Sequence, residues 1–396
     1  MRKPILVIAI ATLAFISCNN SDLENINLEV PETYNFNRNG NSTVDFNGQT
    51  TRILMAEAFG AALKENTKTE NELSNMFAHN QGDTNFLDAN LNASDKNIRS
   101  KVAASTDYFL TNSTASNAIK ADFDGWISNQ VSEVFPNWNS IASQGVAGQI
   151  QQSGGGTIRY VNAKGMEYDQ LIKKGLLGAL MIDQILNNYL SPAVLDEASN
   201  QEENDNEVLV SGKNYTNMEH KWDEGFGYLY GNEVNIEAPV LDVDSFLSEY
   251  LERVNGNSNF STFASDIYNA FKKGRAAIVQ KNYIVRNEQA DIIKEKISLI
   301  PAVRAVYYLQ ASKANLGIDN ARAFHALSEA YGFIYSLQFT RNPSSNVPYV
   351  TKAEVDNYLV QLSSGNGFWD ISETTIDEIS TAIASKFNFT VSQFID

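Results

Sequence analysis

Apolar residues recur along most of this chain at intervals of three and four, the spacing that gives a helix one apolar face. Ile53, Leu54, Ala58, Ala61 and Ala62 follow it, which predicts a helix from Thr51. The same reading predicts helices over 94–105 and 113–134, the second ending before Pro136. A strongly apolar helix over 167–190 is stopped by Pro192. Thr216 and Glu219 have the capping-box spacing and announce a helix through Tyr230. Helices over 242–254, 258–282, 286–314 and 318–340 follow, with Pro301 expected to kink the third. Thr351 and Glu354 form a second capping box that opens a helix to about 363, and a last helix covers 375–386. Period-two alternation is scarce. The pattern gives an all-α fold of antiparallel helices in bundles.

The remaining segments are polar. Residues 136–164 are rich in Ser, Gly and Gln and contain Gly154, Gly155 and Gly156. They read as a flexible loop, since the Lys and Ser/Thr that complete a phosphate loop do not follow. The run DEASNQEENDNE over 196–207 reads as a solvated acidic loop. Residues 18–49 read as an irregular spacer, leaving 50–396 as the helical domain.

The N-terminus has a different logic. Arg2 and Lys3 precede an apolar run, ILVIAIATLAFI, which ends at Ser17 beside the only cysteine, Cys18. Residues 1–17 thus have the layout of a secretory signal peptide. The run is shorter than the roughly 20 residues a spanning helix needs. Ser17 and Cys18 resemble a bacterial lipobox, which implies lipidation of Cys18 and a membrane partner through that anchor. Asp22 and Glu24 resemble the acidic tags of surface-exported lipoproteins. The expected location is the outer membrane, on its periplasmic or cell-surface face. With Cys18 lipidated, no thiol is left for a disulfide, a metal or a nucleophile.

Composition narrows the chemistry. A formal charge of -17 repels phosphate backbones, so nucleic acid is not an expected partner. The eight prolines in 396 residues agree with long helices. No serine nucleophile elbow, dinucleotide fingerprint or zincin His-Glu-x-x-His pattern is present.

A search for self-similarity is more productive. His220, Glu224, Gly225, Phe226, Gly227, Tyr228, Leu229 and Tyr230 align with His325, Glu329, Ala330, Tyr331, Gly332, Phe333, Ile334 and Tyr335. Two of the three histidines thus hold the same place in one motif, whose copies lie at 216–231 and 321–336. The preceding helices correspond as well, Leu171, Ile172 and Lys173 with Ile292, Ile293 and Lys294. The pattern implies an internal duplication. His and Glu at i and i+4 share one helix face. In one reading each pair is a hydrogen-bonded unit that orients helices. In the other the pairs converge, and His220, Glu224, His325 and Glu329 hold a divalent metal such as iron or zinc. Glu57, with Arg52 and Asp223, is a candidate second layer. His79, within the polar AHNQGD segment, is expected at the surface.

The stretches RNGNSTVDFNGQTTRILMAE and MEHKWDEGFGYLYG resemble a Bacteroidota lipoprotein family called domain of unknown function 4856, over nearly all the mature chain. That family brings no established activity. More distantly, the architecture is similar to the imelysin-like proteins, which are exported, helical, duplicated and linked to iron uptake. Their His-x-x-Glu motif differs, since here each Glu is one residue further on and no Gly stands two before either His. Three functions follow as expectations. One is a non-catalytic binding lipoprotein in metal or iron acquisition. Another is a structural lipoprotein, or one that binds a surface protein or glycan, without a metal. The least favoured is a metallopeptidase.

Overall fold

Several helix starts in this protein are set by side chains that satisfy the first free backbone N–H groups. A computed structural model describes residues 28–394. Its main helices are α1 (Asn47–Ala62), α2 (Glu70–Phe77), α3 (Ser113–Asn129), α4 (Tyr168–Leu176), α5 (Asn217–Tyr230), α6 (Leu247–Asn255), α7 (Phe263–Val279), α8 (Tyr283–Lys313), α9 (Asn320–Ser336), α10 (Lys352–Ser363) and α11 (Glu373–Lys386). Complete capping boxes open α5 and α10, at the two predicted positions. A third, Thr69 with Glu72, opens α2, a helix the apolar spacing does not announce. Two small antiparallel hairpins are the only sheets among the described residues: β1 (Asn37–Arg38) with β2 (Asn41–Ser42), and β3 (Gly148–Gln151) with β4 (Ile158–Val161). The all-α reading holds, and no described helix is long and apolar enough to cross a membrane.

The link from α7 to α8 illustrates local control. Lys281 takes a left-handed conformation (φ 62°), which lets the Asn282 N–H donate back to the Ala277 carbonyl at 2.8 Å. The Asn282 side chain then accepts from the Val285 N–H at 3.1 Å and starts α8. Three residues therefore reverse the chain, and α7 and α8 pack along one another. Helix α8 continues through Pro301 and also packs on α9 and α11, while α9 packs on α4. A single apolar cluster extends from Tyr34 to Phe389.

The predicted 167–190 helix is present but changes its winding. After α4 come wide π turns over Leu177–Ile182 and Ile185–Tyr189. The first has a visible cause. The Ser336 hydroxyl donates to the Lys174 carbonyl at 2.7 Å and accepts from the Gly178 N–H at 3.1 Å. It stands between the two groups an α-helix would join, an insertion that widens the turn. Gly178 is required there, because a Cβ would lie 2.4 Å from the Ser336 side chain.

Several expectations change. Residues 136–164 include a β-hairpin, β3 and β4, whose turn holds the three glycines. The predicted 94–105 helix is reduced to a 3-10 turn at Arg99–Lys101. Local side chains compete for its backbone: Ser94 accepts from the Lys96 N–H and Asn97 from the Ser100 N–H. Part of the acidic stretch is helical, at Asn200–Asp205. The 18–49 spacer is folded from its first described residues, since Tyr34 and Phe36 are buried. His79 is buried as well, with Nε2 3.2 Å from the Asn92 carbonyl and Nδ1 3.0 Å from the Asn85 amide. Asparagines around it satisfy the ring, so a polar sequence makes a buried site. Cys18 and residues 1–17 lie outside the described residues.

Candidate functional site: the two His/Glu motifs

In the first copy, the capping box fixes the start of α5 and places His220 and Glu224 one turn apart. The His220 ring stacks on Tyr215, with centroids 4.5 Å apart and planes at 11°. Its Nε2 stands 3.9 Å from Glu224, too far for a hydrogen bond. Its Nδ1 is buried without a hydrogen-bond partner among the described residues. Glu224 is engaged elsewhere, accepting from the Gln49 amide and from Lys221, both at 3.0 Å. Burial pulls the His220 pKa below the ordinary value, against the pull of Glu224. Burial alone would raise Glu224, but Lys221 and His220 outweigh it and hold the carboxylate ionised.

The adjacent face of α5, one residue back at Glu219 and Asp223, carries a denser network. Arg275 on α7 is fully buried. Its Nε meets Asp223 at 3.0 Å, and its Nη1 meets Glu219 at 3.1 Å. Its Nη2 donates to the Thr43 hydroxyl at 3.0 Å. Arg38 adds a second cation on Glu219, and the Tyr34 hydroxyl donates to Asp223 at 2.7 Å. Burial pushes the Asp223 carboxyl up to about 6, against the pull of Arg275. Beside this network Trp222 donates its indole N–H to the Phe271 carbonyl at 2.9 Å. Gly274 makes room for that ring, because a Cβ there would lie 2.1 Å from it.

In the second copy, His325 Nδ1 lies 3.1 Å from Glu167, and Nε2 lies 3.6 Å from Glu329. Glu329 also faces Lys174 Nζ at 3.4 Å and accepts from the Tyr250 hydroxyl at 3.4 Å. The Lys174 ammonium sits over the Tyr250 ring, 4.7 Å from its centroid. Burial opposes a charge on His325, but the hydrogen bond and charge of Glu167 prevail and raise its pKa. Burial raises Glu167 despite His325, while Lys174 and His325 overcome burial at Glu329 and lower it. An imidazolium between two carboxylates is the state this geometry favours.

The motif glycine serves the same purpose in both copies. A Cβ on Gly227 would lie 2.4 Å from Phe46 Cβ, and one on Gly332 would lie 2.5 Å from Lys174 Cβ. Each allows another backbone to approach closely. The motif helices otherwise have different neighbours. Helix α5 packs on α1, α7 and the Ile185–Tyr189 turn, whereas α9 packs on α8, α4 and α10. The pairs therefore engage separate partners, Gln49 and Lys221 in one case, Glu167 and Lys174 in the other. Among the described residues, no group of three or more His, Cys, Asp or Glu side chains is arranged to hold a metal. The donor chemistry agrees, because each motif carboxylate already faces an ammonium group.

The candidate second layer is split, with the Arg52 charge acting on the motif's Tyr228 and Glu57 and Asp223 engaged by other partners. Glu57 accepts from the Ser245 backbone and hydroxyl, ahead of α6. Arg52 donates to the Asn97 and Gly48 carbonyls. Asp223 belongs to the Arg275 network. Glu167, Lys174 and Arg275 escape the sequence reading. Their partners are far away in the chain, 158 residues for Glu167 with His325. The available signals are weak: a carboxylate opening the most apolar helix, and an arginine directly after a glycine in α7.

No curated protein and no solved structure matches this chain. One family does, described as Domain of unknown function (DUF4856), and its match extends over residues 31–390. The match opens three residues before buried Tyr34 and ends one residue past Phe389, so it takes in the buried apolar cluster, both motifs and the N-terminal segment that closes the Arg275 network. The chain belongs to the DUF4856 family.

Proposed function

We propose that this protein is an exported lipoprotein, anchored through Cys18, whose helical body is a non-catalytic binding protein. In this reading the His/Glu motifs join helices. The observation that carries it is the engagement of Glu224 by Lys221 and Gln49, and of Glu329 by Lys174 and Tyr250. A divalent ion at either pair would have to displace or repel a nearby ammonium group. The rival role in iron or zinc acquisition draws its support from the imelysin likeness and from His325 standing between Glu167 and Glu329.

Two measurements test this reading. Elemental analysis of the full chain, purified without chelators, is expected to find no stoichiometric iron or zinc in the wild type, His220→Ala or His325→Ala. One equivalent in the wild type, lost in either variant, would establish the metal reading instead. Detergent phase partition of membranes is expected to carry the wild-type chain into the detergent phase and Cys18→Ser out of it. Equal partition of the two would remove the anchor.

A further inference from the structure

Beyond the second motif lies a cavity of about 460 Å³ between α6 and α8, lined by Glu249, Arg253, Arg304, Tyr307 and Tyr308 among others. Arg304 is its unusual member. It is only 8% exposed, yet no hydrogen bond or ion pair reaches its guanidinium from any of the described residues. Its Nε is buried without a partner. Three rings pack against it: its Cζ lies 4.2 Å from the Tyr307 centroid, 4.6 Å from that of Tyr308 and 5.5 Å from that of Tyr250, while its charge also acts at longer range on the Glu329 carboxylate. Guanidinium stacking of this kind fixes the plane of the group and leaves its N–H edge for a ligand. The other buried arginines are all engaged by oxygen. Arg275, Arg286 and Arg341 each meet a carboxylate within 3.1 Å, and Arg52 donates to two carbonyls.

The remaining walls define what fits. Arg253, at the half-exposed rim, lies 3.7–4.0 Å from Asp242, Glu249 and Glu252, which offset its charge and leave Arg304 as the anchor for an anion. Glu249 supplies an acceptor for hydroxyl donors. Tyr307 is 37% exposed and presents a ring beside Arg304. A carboxylate edge on the guanidinium, hydroxyls toward Glu249 and a ring face on a tyrosine together describe a sugar acid. The volume lies within the range of small-molecule pockets and admits one or two sugar rings.

We propose that this cavity binds a carboxylate-bearing sugar of the uronic-acid class, with Arg304 as the carboxylate anchor and Tyr307 as the stacking surface. This gives the binding reading a ligand class and rests on that reading only for the compartment in which the ligand is met. The site involves neither Cys18 nor the motif histidines.

The test is titration calorimetry on the full-length chain in detergent, with glucuronate and galacturonate as probes and glucose and acetate as controls. Saturable binding of at least one uronate is expected, with glucose and acetate each at least tenfold weaker. Arg304→Met is expected to weaken uronate binding at least tenfold, and Arg304→Lys to restore little of it, since an ammonium does not offer the paired N–H edge. Tyr307→Ala lies at the surface and keeps the test open if Arg304→Met does not fold. It is expected to weaken binding several-fold. Uronates no tighter than glucose, acetate as tight as the uronates, or binding unchanged in Arg304→Met or Tyr307→Ala would each overturn the proposal. None of these results bears on metal content or lipid anchoring.

Discussion

The two motif copies share their His, Glu, Gly and Tyr positions and have opposite electrostatics. His220 lies against Tyr215 with one ring nitrogen buried and unbonded, and burial disfavours its charge. His325 lies between Glu167 and Glu329, and Glu167 favours its charge. What the copies share is the glycine contact and the aromatic packing. What separates them comes from other elements: a tyrosine just before α5 in one case, a carboxylate at the start of α4 in the other. A repeated motif in this chain therefore specifies packing, and its neighbours decide the chemistry.

The largest expected effect tests how far the copies depend on their cations. Arg275→Met leaves Glu219 and Asp223 buried with less or no compensation, and is expected to cost about 3–5 kcal/mol in chemical denaturation. Lys174→Met, in the second copy, should cost distinctly less, because His325 still faces Glu329. Equal losses would mean that the imidazolium does not support that carboxylate. Next come the glycines. Gly227→Ala and Gly332→Ala should each destabilise by about 1–3 kcal/mol through overpacking. Gly332→Ala should be the worse, because the Leu171 and Gln170 carbonyls lie 3.1 and 3.2 Å from the added Cβ and cannot rotate away. A neutral result at either glycine would remove the glycine contact as a role the copies share.

The smallest effect is the most diagnostic. The stability His325 provides is fully present below the unfolded histidine pKa of about 6.5 and is lost as pH rises through its raised folded value. His220 has the opposite sign. Its neutral form is favoured in the fold, so stability is intact above about 6.5 and falls as pH drops toward its lowered folded value. NMR titration of the ring C–H signals should place His325 above and His220 below the ordinary value. Shifts in the same direction would erase the contrast.

Local signals are partly readable in the sequence, since the capping box of Thr69 with Glu72 goes unread, and long-range ones are not. Thr216 with Glu219 and Thr351 with Glu354 act within a single turn, so their meaning is complete where they stand. The motif glycines are similarly legible, because the aromatics around them mark a packed face. The β3–β4 hairpin is hidden by strands of only four residues around a glycine turn. His79 is hidden because asparagines, polar in sequence, close over it. The pairing of Glu167 with His325, and of Arg275 with Thr43, depends on tertiary contacts that periodicity does not encode.

The Arg275 network also bears on the order of assembly. Thr43 and Arg275 are 232 residues apart, and Tyr34 and Asp223 are 189 apart. Contacts of that span require large loops to close before they contribute anything. The contacts of Tyr34 and Thr43 therefore contribute only once those loops are closed. Interactions completed so late stabilise the native state more than the transition state, so they act mainly to slow unfolding. The short N-terminal segment thus works as a latch across α5 and α7, through Tyr34 on Asp223 and Thr43 on Arg275.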